Sequence, residues 1–89
     1  MREIIYKKQF KKDFQAIAKT GRNLERFSEA VTMLQQGASL PAHFRDHSLI
    51  GNLKSYRECH LAGDLLLIYQ TTDTEMILIR MGNHSELFG

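Results

Sequence analysis

The side chains able to do chemistry gather in the second half of this 89-residue chain. Four histidines, His43, His47, His60 and His84, accompany a single cysteine, Cys59. Metal binding is the first chemistry to consider. His43 and His47 stand at i, i+4 and would share a face if their segment were helical. No glutamate follows the first of them, so the His-Glu-x-x-His zinc spacing fails. Cys59 and His60 are adjacent in a strand-like run and point to opposite faces, which keeps them from sharing an ion. We therefore expect neither a metal nor a cofactor. Nucleophilic catalysis is weakly supported too. Cys59 reads as a small inward-facing hydrophobe, and Ser85, beside His84, lacks a strand-turn-helix elbow.

General acid–base chemistry fits the remaining residues better. In the run 53–61, His60 shares a face with Glu58, Tyr56 and Lys54, and Asp64 follows just beyond a turn. His60 and Asp64 are expected at the same sheet end, where a carboxylate raises an imidazole's pKa and fixes its tautomer. Arg80 lies in the apolar run MILIRM, alternating with Leu78 and Met76 and facing away from Ile77 and Ile79. An arginine in such a run needs an anion or an exit to solvent. Asp64 and Glu58 are the expected structural partners. Taken singly, each of these residues suits a structural role. Taken together, histidines, an aspartate and an arginine near one sheet edge suit phosphodiester chemistry, with His moving protons and Arg stabilising an oxyanion.

The elements that must hold these groups follow from hydrophobic periodicity. REIIY (2–6) reads as a short strand. Phe10, Phe14 and Ile17 then recur at helical spacing, and Thr20-Gly21 ends that helix. Asn23 is the expected cap of a second helix, whose stripe is Leu24, Phe27, Val31 and Leu34 and whose stop is Gly37. Residues 37–50 read as a loop pinned by Leu40, Phe44, Leu49 and Ile50. Three strands follow: Leu53–Leu61, Leu65–Gln70 and Met76–Met81, the first pair joined through Gly63 at positive φ. LLLIY (65–69) is the run expected of a strand buried on both faces. The order β-α-α-β-β-β predicts an α+β fold: an N-terminal helical hairpin packed on a small, mainly antiparallel sheet.

Composition bounds the function. The hydrophobic fraction of 43% and charged fraction of 25% are those of a soluble globular domain, and the length suits one domain spanning 1–89. No apolar run approaches the roughly 20 residues that cross a bilayer. MREIIYKKQF is too polar for a signal peptide. A lone cysteine suits a reducing compartment. The net charge of +2 hides an asymmetry. Residues 1–26 carry eight basic and three acidic side chains, a net of +5, whereas the rest carries four and seven, a net of −3. A basic front half is compatible with a solvated helix face and with a polyanionic partner.

Three segments in order, LPAHFRDHSLIGNL (40–53), YRECHLAGDLLLIYQ (56–70) and ILIRMGNHSELF (77–88), resemble the YafQ branch of the RelE/ParE superfamily of bacterial toxins. The resemblance implies a RelE-like fold and a cytoplasmic toxin of a type II toxin–antitoxin system. It also implies a ribosome-dependent endoribonuclease that cuts translated mRNA by attack of the 2′-OH on the adjacent phosphate. His47, His60, Asp64, Arg80, His84 and Phe88 match the family's functional positions. By that likeness His84 is the general acid, and His60, with Asp64 beside it, is a candidate base. Arg80 stabilises the phosphate, His47 assists, and Phe88 stacks on a base. Lys7, Lys8, Lys11, Lys12 and Lys54 become candidate RNA contacts. The implied partners are a cognate antitoxin, the ribosome and mRNA, with operator DNA engaged only through the antitoxin complex and no membrane. The family's usual tryptophans are absent: Leu65 and Leu53 stand in their places. Two alternatives remain open: a non-catalytic ParE-like inhibitor of a protein target such as DNA gyrase, and a degenerate antitoxin-binding module.

Overall fold

The computed structural model describes residues 1–51 and 55–89. Strand β1 (Glu3–Tyr6) leads into helices α1 (Lys8–Ala18) and α2 (Glu25–Gln35). A 3-10 turn (Ala42–Phe44) and a two-residue strand, β2 (His47–Ser48), precede β3 (Arg57–Ala62), β4 (Leu65–Thr71) and β5 (Glu75–Gly82). A short helix, α3 (His84–Phe88), ends the chain. The expected order is present, with β2 and α3 added to it. The strand expected from Leu53 is found from Arg57, and Leu53 and Lys54 lie outside the described residues.

The five strands lie in the order β1-β5-β4-β3-β2, with β1 parallel to β5 and the other pairs antiparallel. Residues Leu65 to Tyr69 of β4 are all buried, as the unbroken apolar run requires. Leu65, Leu67 and Tyr69 join Phe10 of α1 and Leu34 of α2 in the core, while Leu66 and Ile68 take the opposite face. Both helices thus cover one side of the sheet, and the other side is available to the polar residues of its neighbours.

Two register shifts decide which side chains those are. Between β4 and β5, Ile68 pairs with Arg80 but Tyr69 pairs with Leu78, so Ile79 is an extra residue. This bulge resets the alternation. Met76, Leu78 and Met81 all enter the core, and Arg80 falls on the face of Ile68. Simple alternation had predicted Arg80 on the side of Leu78 and Met76; the bulge reverses it. A similar shift lies between His60 and Ala62.

Local sequence explains the rest. Gly63 turns the β3–β4 hairpin at φ 57°, a conformation that costs glycine little. Asn23 accepts a hydrogen bond from Glu25 N–H (2.8 Å), although the helix is counted from Glu25 with Leu24 preceding it. The loop before β2 is tied down by Asp46, which accepts from the Tyr69 hydroxyl and from Arg57 Nε and Nη2 (3.3 and 3.2 Å). Arg57 Nη1 also donates to Ser48 Oγ at 2.9 Å. Asp46→Ala would leave a buried hydroxyl and a guanidinium without their acceptor. It should cost about 1–3 kcal/mol in urea denaturation; a loss below about 0.5 kcal/mol would show that the loop is held by other contacts.

Candidate active site

Cross-strand partners in a sheet share a face, so the register assembles a site across it. His47 pairs with Glu58, Glu58 with Ile68, and Ile68 with Arg80. These four form one row across β2, β3, β4 and β5. In the next row His60 pairs with Leu66 and Leu66 with Gly82, two residues before His84. Adjacent strands lie about 4.8 Å apart, so Glu58 and Arg80 are separated by roughly 10 Å with an apolar residue between them. Histidines and a carboxylate stand on one side of Ile68 and a guanidinium on the other.

The histidine side is compact. His47 Nε2 and His60 Nε2 lie 3.4 and 3.6 Å from Glu58 Oε1, and the two imidazole rings are 6.2 Å apart. His47 Nδ1 sits 2.8 Å from the Arg45 carbonyl oxygen. A carbonyl only accepts, so Nδ1 carries the proton and Nε2 of the neutral ring presents its lone pair. Arg45 holds this arrangement from a left-handed backbone conformation, φ 47°. The same kink ends the 3-10 turn, so His43 and His47 do not share a helix; the His43 ring lies tilted against Phe44 instead, centroids 4.5 Å apart.

Glu58 is 6% exposed, and a buried carboxylate requires compensation. A proton on either facing Nε2 supplies it, and so would a cation. His47, Glu58 and His60 bring one ligand atom each within 4.8 Å of one another, a set that borderline metals accept. The sequence did not suggest this trio, because His47 comes from a two-residue strand that periodicity cannot reveal. Burial pushes the His60 pKa below its ordinary value, Arg45 and His47 add to that effect, and Glu58 opposes it. His60 is therefore neutral at pH 7 and ready to accept a proton.

On the other side, Arg80 is held by Asp13 of α1, not by Asp64 or Glu58 as the sequence suggested. Asp13 Oδ2 accepts from Arg80 Nε at 2.8 Å and Oδ1 from Nη2 at 3.1 Å. The partner was missed because it lies 67 residues away and α1 meets β5 only in the folded chain. His84 opens α3, exposed, with its ring 5.1 Å from Phe88 one turn on. Asn83 and Glu86 form a reciprocal capping box, each bond 2.8 Å. That Asn-x-x-Glu spacing was the available sequence signal for α3. Gly82 serves a close approach: a Cβ there would lie 2.9 Å from Glu86 Oε1.

Asp64 does not stand beside His60. It sits exposed in the hairpin turn, 3.1 Å from Arg22 Nη2, which also donates to the Ala62 carbonyl at 2.8 Å. The carboxylate next to His60 is Glu58. Lys7, Lys8, Lys11 and Lys12 are exposed at the start of α1. Cys59 is fully buried and its thiol is pushed up to about 12 by burial and by the Asp46 and Glu58 charges, which leaves it inert.

Known proteins supply independent information. A family model described as the bacterial toxin of type II toxin–antitoxin systems, YafQ, matches residues 2–89. The chain belongs to the YafQ toxin family. It is 36% identical over 89 residues to the mRNA interferase toxin YafQ of Escherichia coli K12, covering 99% of this chain and 97% of that one. It is also similar to a copper-bound mutant toxin from Helicobacter pylori, with TM-score 0.94, 40% identity and coverage of 99% and 100%. The YafQ chain of the E. coli DinJ–YafQ toxin–antitoxin complex matches with TM-score 0.91 and 36% identity, covering 99% of this chain and 98% of that one. As a YafQ-family toxin, the chain has the α+β fold its sequence implied. Among the described residues, no helix is long and apolar enough to cross a membrane.

The electrostatics around His60 can be checked directly. Its imidazole should titrate below 6.5 by NMR, and Glu58→Gln should lower the value further by removing the one charge that raises it. A pKa at or above 6.5 in the folded protein would contradict the burial argument.

Proposed function

We propose that this YafQ-family toxin is an mRNA interferase that cleaves translated mRNA on the ribosome by metal-independent transesterification. The observation that supports it best is the row His47–Glu58–Ile68–Arg80, with imidazole and carboxylate groups on one side of Ile68 and a guanidinium on the other. In this reading neutral His60 removes the proton of the 2′-OH, with Glu58 stabilising the imidazolium that forms. The 2′-oxygen bonds to phosphorus while the bond from phosphorus to the 5′-oxygen breaks. His84 donates a proton to that leaving oxygen, and the products are a 2′,3′-cyclic phosphate and a 5′-hydroxyl. Arg80 neutralises charge developing on the non-bridging oxygens. His47 shares the Glu58 carboxylate with His60 and lowers the proton affinity of His60.

Phe88, 39% exposed beside His84, offers a ring on which a splayed base can stack. Asp64, exposed in the hairpin turn, can accept from a ribose hydroxyl or a base amino group. Lys7, Lys8, Lys11 and Lys12 supply a basic surface for ribosomal RNA phosphates, and Lys54 is a further candidate contact. The proposed partners are the ribosome with its mRNA and a cognate antitoxin, as the DinJ–YafQ pairing of the E. coli relative suggests. Operator DNA would be engaged only through the toxin–antitoxin complex, and the compartment would be the bacterial cytoplasm.

A second reading is favoured by the His47–Glu58–His60 set and by the copper-bound H. pylori relative: a metal ion held there. The two readings differ under chelation. Toxin stripped with EDTA and dialysed, then assayed with magnesium-replete ribosomes, should cleave at full rate in the proton-transfer reading, whereas loss of cleavage restored by adding Cu2+ or Zn2+ supports the metal reading.

Mapping of mRNA ends in a reconstituted translation reaction tests the proposal. Cleavage should require ribosomes, and His84→Gln and Arg80→Ala should each lower its rate by ~10²-fold or more. Full activity in His84→Gln would remove the proposed acid. Replacing Lys7, Lys8, Lys11 and Lys12 together by Gln should weaken ribosome binding with little effect on the rate of the bound complex; unchanged affinity would exclude that surface. The acidic limb of the rate–pH profile should fall below pH 6.5, because His60 must be neutral to act and its pKa is lowered.

A further inference from the structure

Asp13 is bonded more fully than any other carboxylate among the described residues. It accepts from Arg80 Nε and Nη2, from Met81 N–H at 3.1 Å and from Gln9 Nε2 at 3.1 Å, with its side chain 10% exposed. Strand β1 pairs with β5 only as far as Leu78. Beyond that point the edge of β5 has no neighbouring strand, and Asp13 of α1 takes over by accepting from Met81. The same carboxylate grips the preceding side chain. Burial raises its proton affinity, but the bonds from Arg80, Met81 and Gln9 outweigh that and hold the carboxyl below its usual range. It is thus a carboxylate at neutral pH.

The grip is directional. A guanidinium has a side edge, formed by Nε–H and one Nη2–H, and an end edge, formed by one N–H from each terminal nitrogen. Asp13 occupies the side edge, which leaves the end edge pointing along the Arg80 side chain. No side chain among the described residues takes that end edge, and it is the planar fork that matches two oxygens of a phosphate. An arginine without such a partner samples many rotamers, and ordering it on substrate would cost entropy at the moment of reaction.

Building on the phosphodiester reading above, we propose that Asp13 is a positioning residue, which locks the Arg80 side edge so that its free terminal fork meets the scissile phosphate. It touches no substrate itself. Its effect on the cleavage step passes through Arg80, whereas its bonds to Met81 and Gln9 act on stability, which the melting measurement reads separately.

Single-turnover cleavage of mRNA on programmed ribosomes, measured beside ribosome affinity and thermal melting, tests the idea. Asp13→Ala should lower the cleavage rate by ~10- to 100-fold, as expected for a displaced catalytic group, with affinity for the ribosome changed less than about threefold. In the Arg80→Ala background, Asp13→Ala should produce no further loss, because residues acting as a unit are not additive. Asp13→Asn keeps an acceptor oxygen for Arg80 and Met81 and should be intermediate; it replaces the alanine variant if that one fails to fold. Undiminished cleavage by a folded Asp13 variant overturns the proposal, as does a full additional loss in the double variant. If the wild-type toxin itself fails to cut, the phosphodiester reading falls and this inference with it. If the wild type cuts and the Asp13 variants cut equally, this inference alone falls.

Discussion

The site depends on the position of β4. Leu65, Leu67 and Tyr69 fill the core and the Tyr69 hydroxyl bonds Asp46, so a slip of one residue would turn Tyr69 to the outer face and break that bond. With β4 fixed, β3 and β5 are fixed on either side of it. Glu58 and Arg80 then oppose the same residue, Ile68. No loop sets that spacing; two ladders of backbone hydrogen bonds do. The spacing of these side chains is a consequence of strand register, and the outer face of one apolar strand forms the floor between two polar walls.

The bulge at Ile79 gives the arrangement its polarity. Without the extra residue, Arg80 would follow Leu78 into the core, where an unpaired guanidinium is costly. With it, Met81 takes the core position and Arg80 reaches the outer face, close enough to the uncovered edge of β5 for Asp13 to hold it. A bulge re-aims the side chain beside it, and here it satisfies the packing of Met81 and the ion pair of Arg80 together. At the other wall, Arg45 adopts a left-handed conformation so that His47 can bond the Arg45 carbonyl and face Glu58. Each wall therefore rests on one local irregularity.

Much of this was legible in the sequence. The stripes of Phe10 and Leu34, the Gly63 turn and the run from Leu65 to Tyr69 gave the fold class and element order, because period and turn chemistry are local. The placement of Glu58 and His60 on one face followed from alternation. Long-range pairing did not: Asp13 with Arg80 and Asp64 with Arg22 join segments whose proximity only the folded chain decides. Register shifts also escaped, since an extra residue leaves no compositional mark in MILIRM. The helix at His84 was missed despite its Asn83–Glu86 capping signature, because five residues are too few for a period to show. The resemblance to YafQ toxins named the functional positions, and the geometry then moved the carboxylate beside His60 from Asp64 to Glu58.

The central claim is that the row of histidines, Glu58 and Arg80 activates the 2′-hydroxyl of the message. The most direct measurement uses a translated mRNA carrying a single 2′-deoxynucleotide at a mapped cleavage position. The account predicts that this position is spared, while the all-ribose message yields a 2′,3′-cyclic phosphate and a 5′-hydroxyl. Cleavage of the deoxy position, or products ending in a 3′-hydroxyl and a 5′-phosphate, would contradict it, because water rather than the neighbouring hydroxyl would then be the nucleophile.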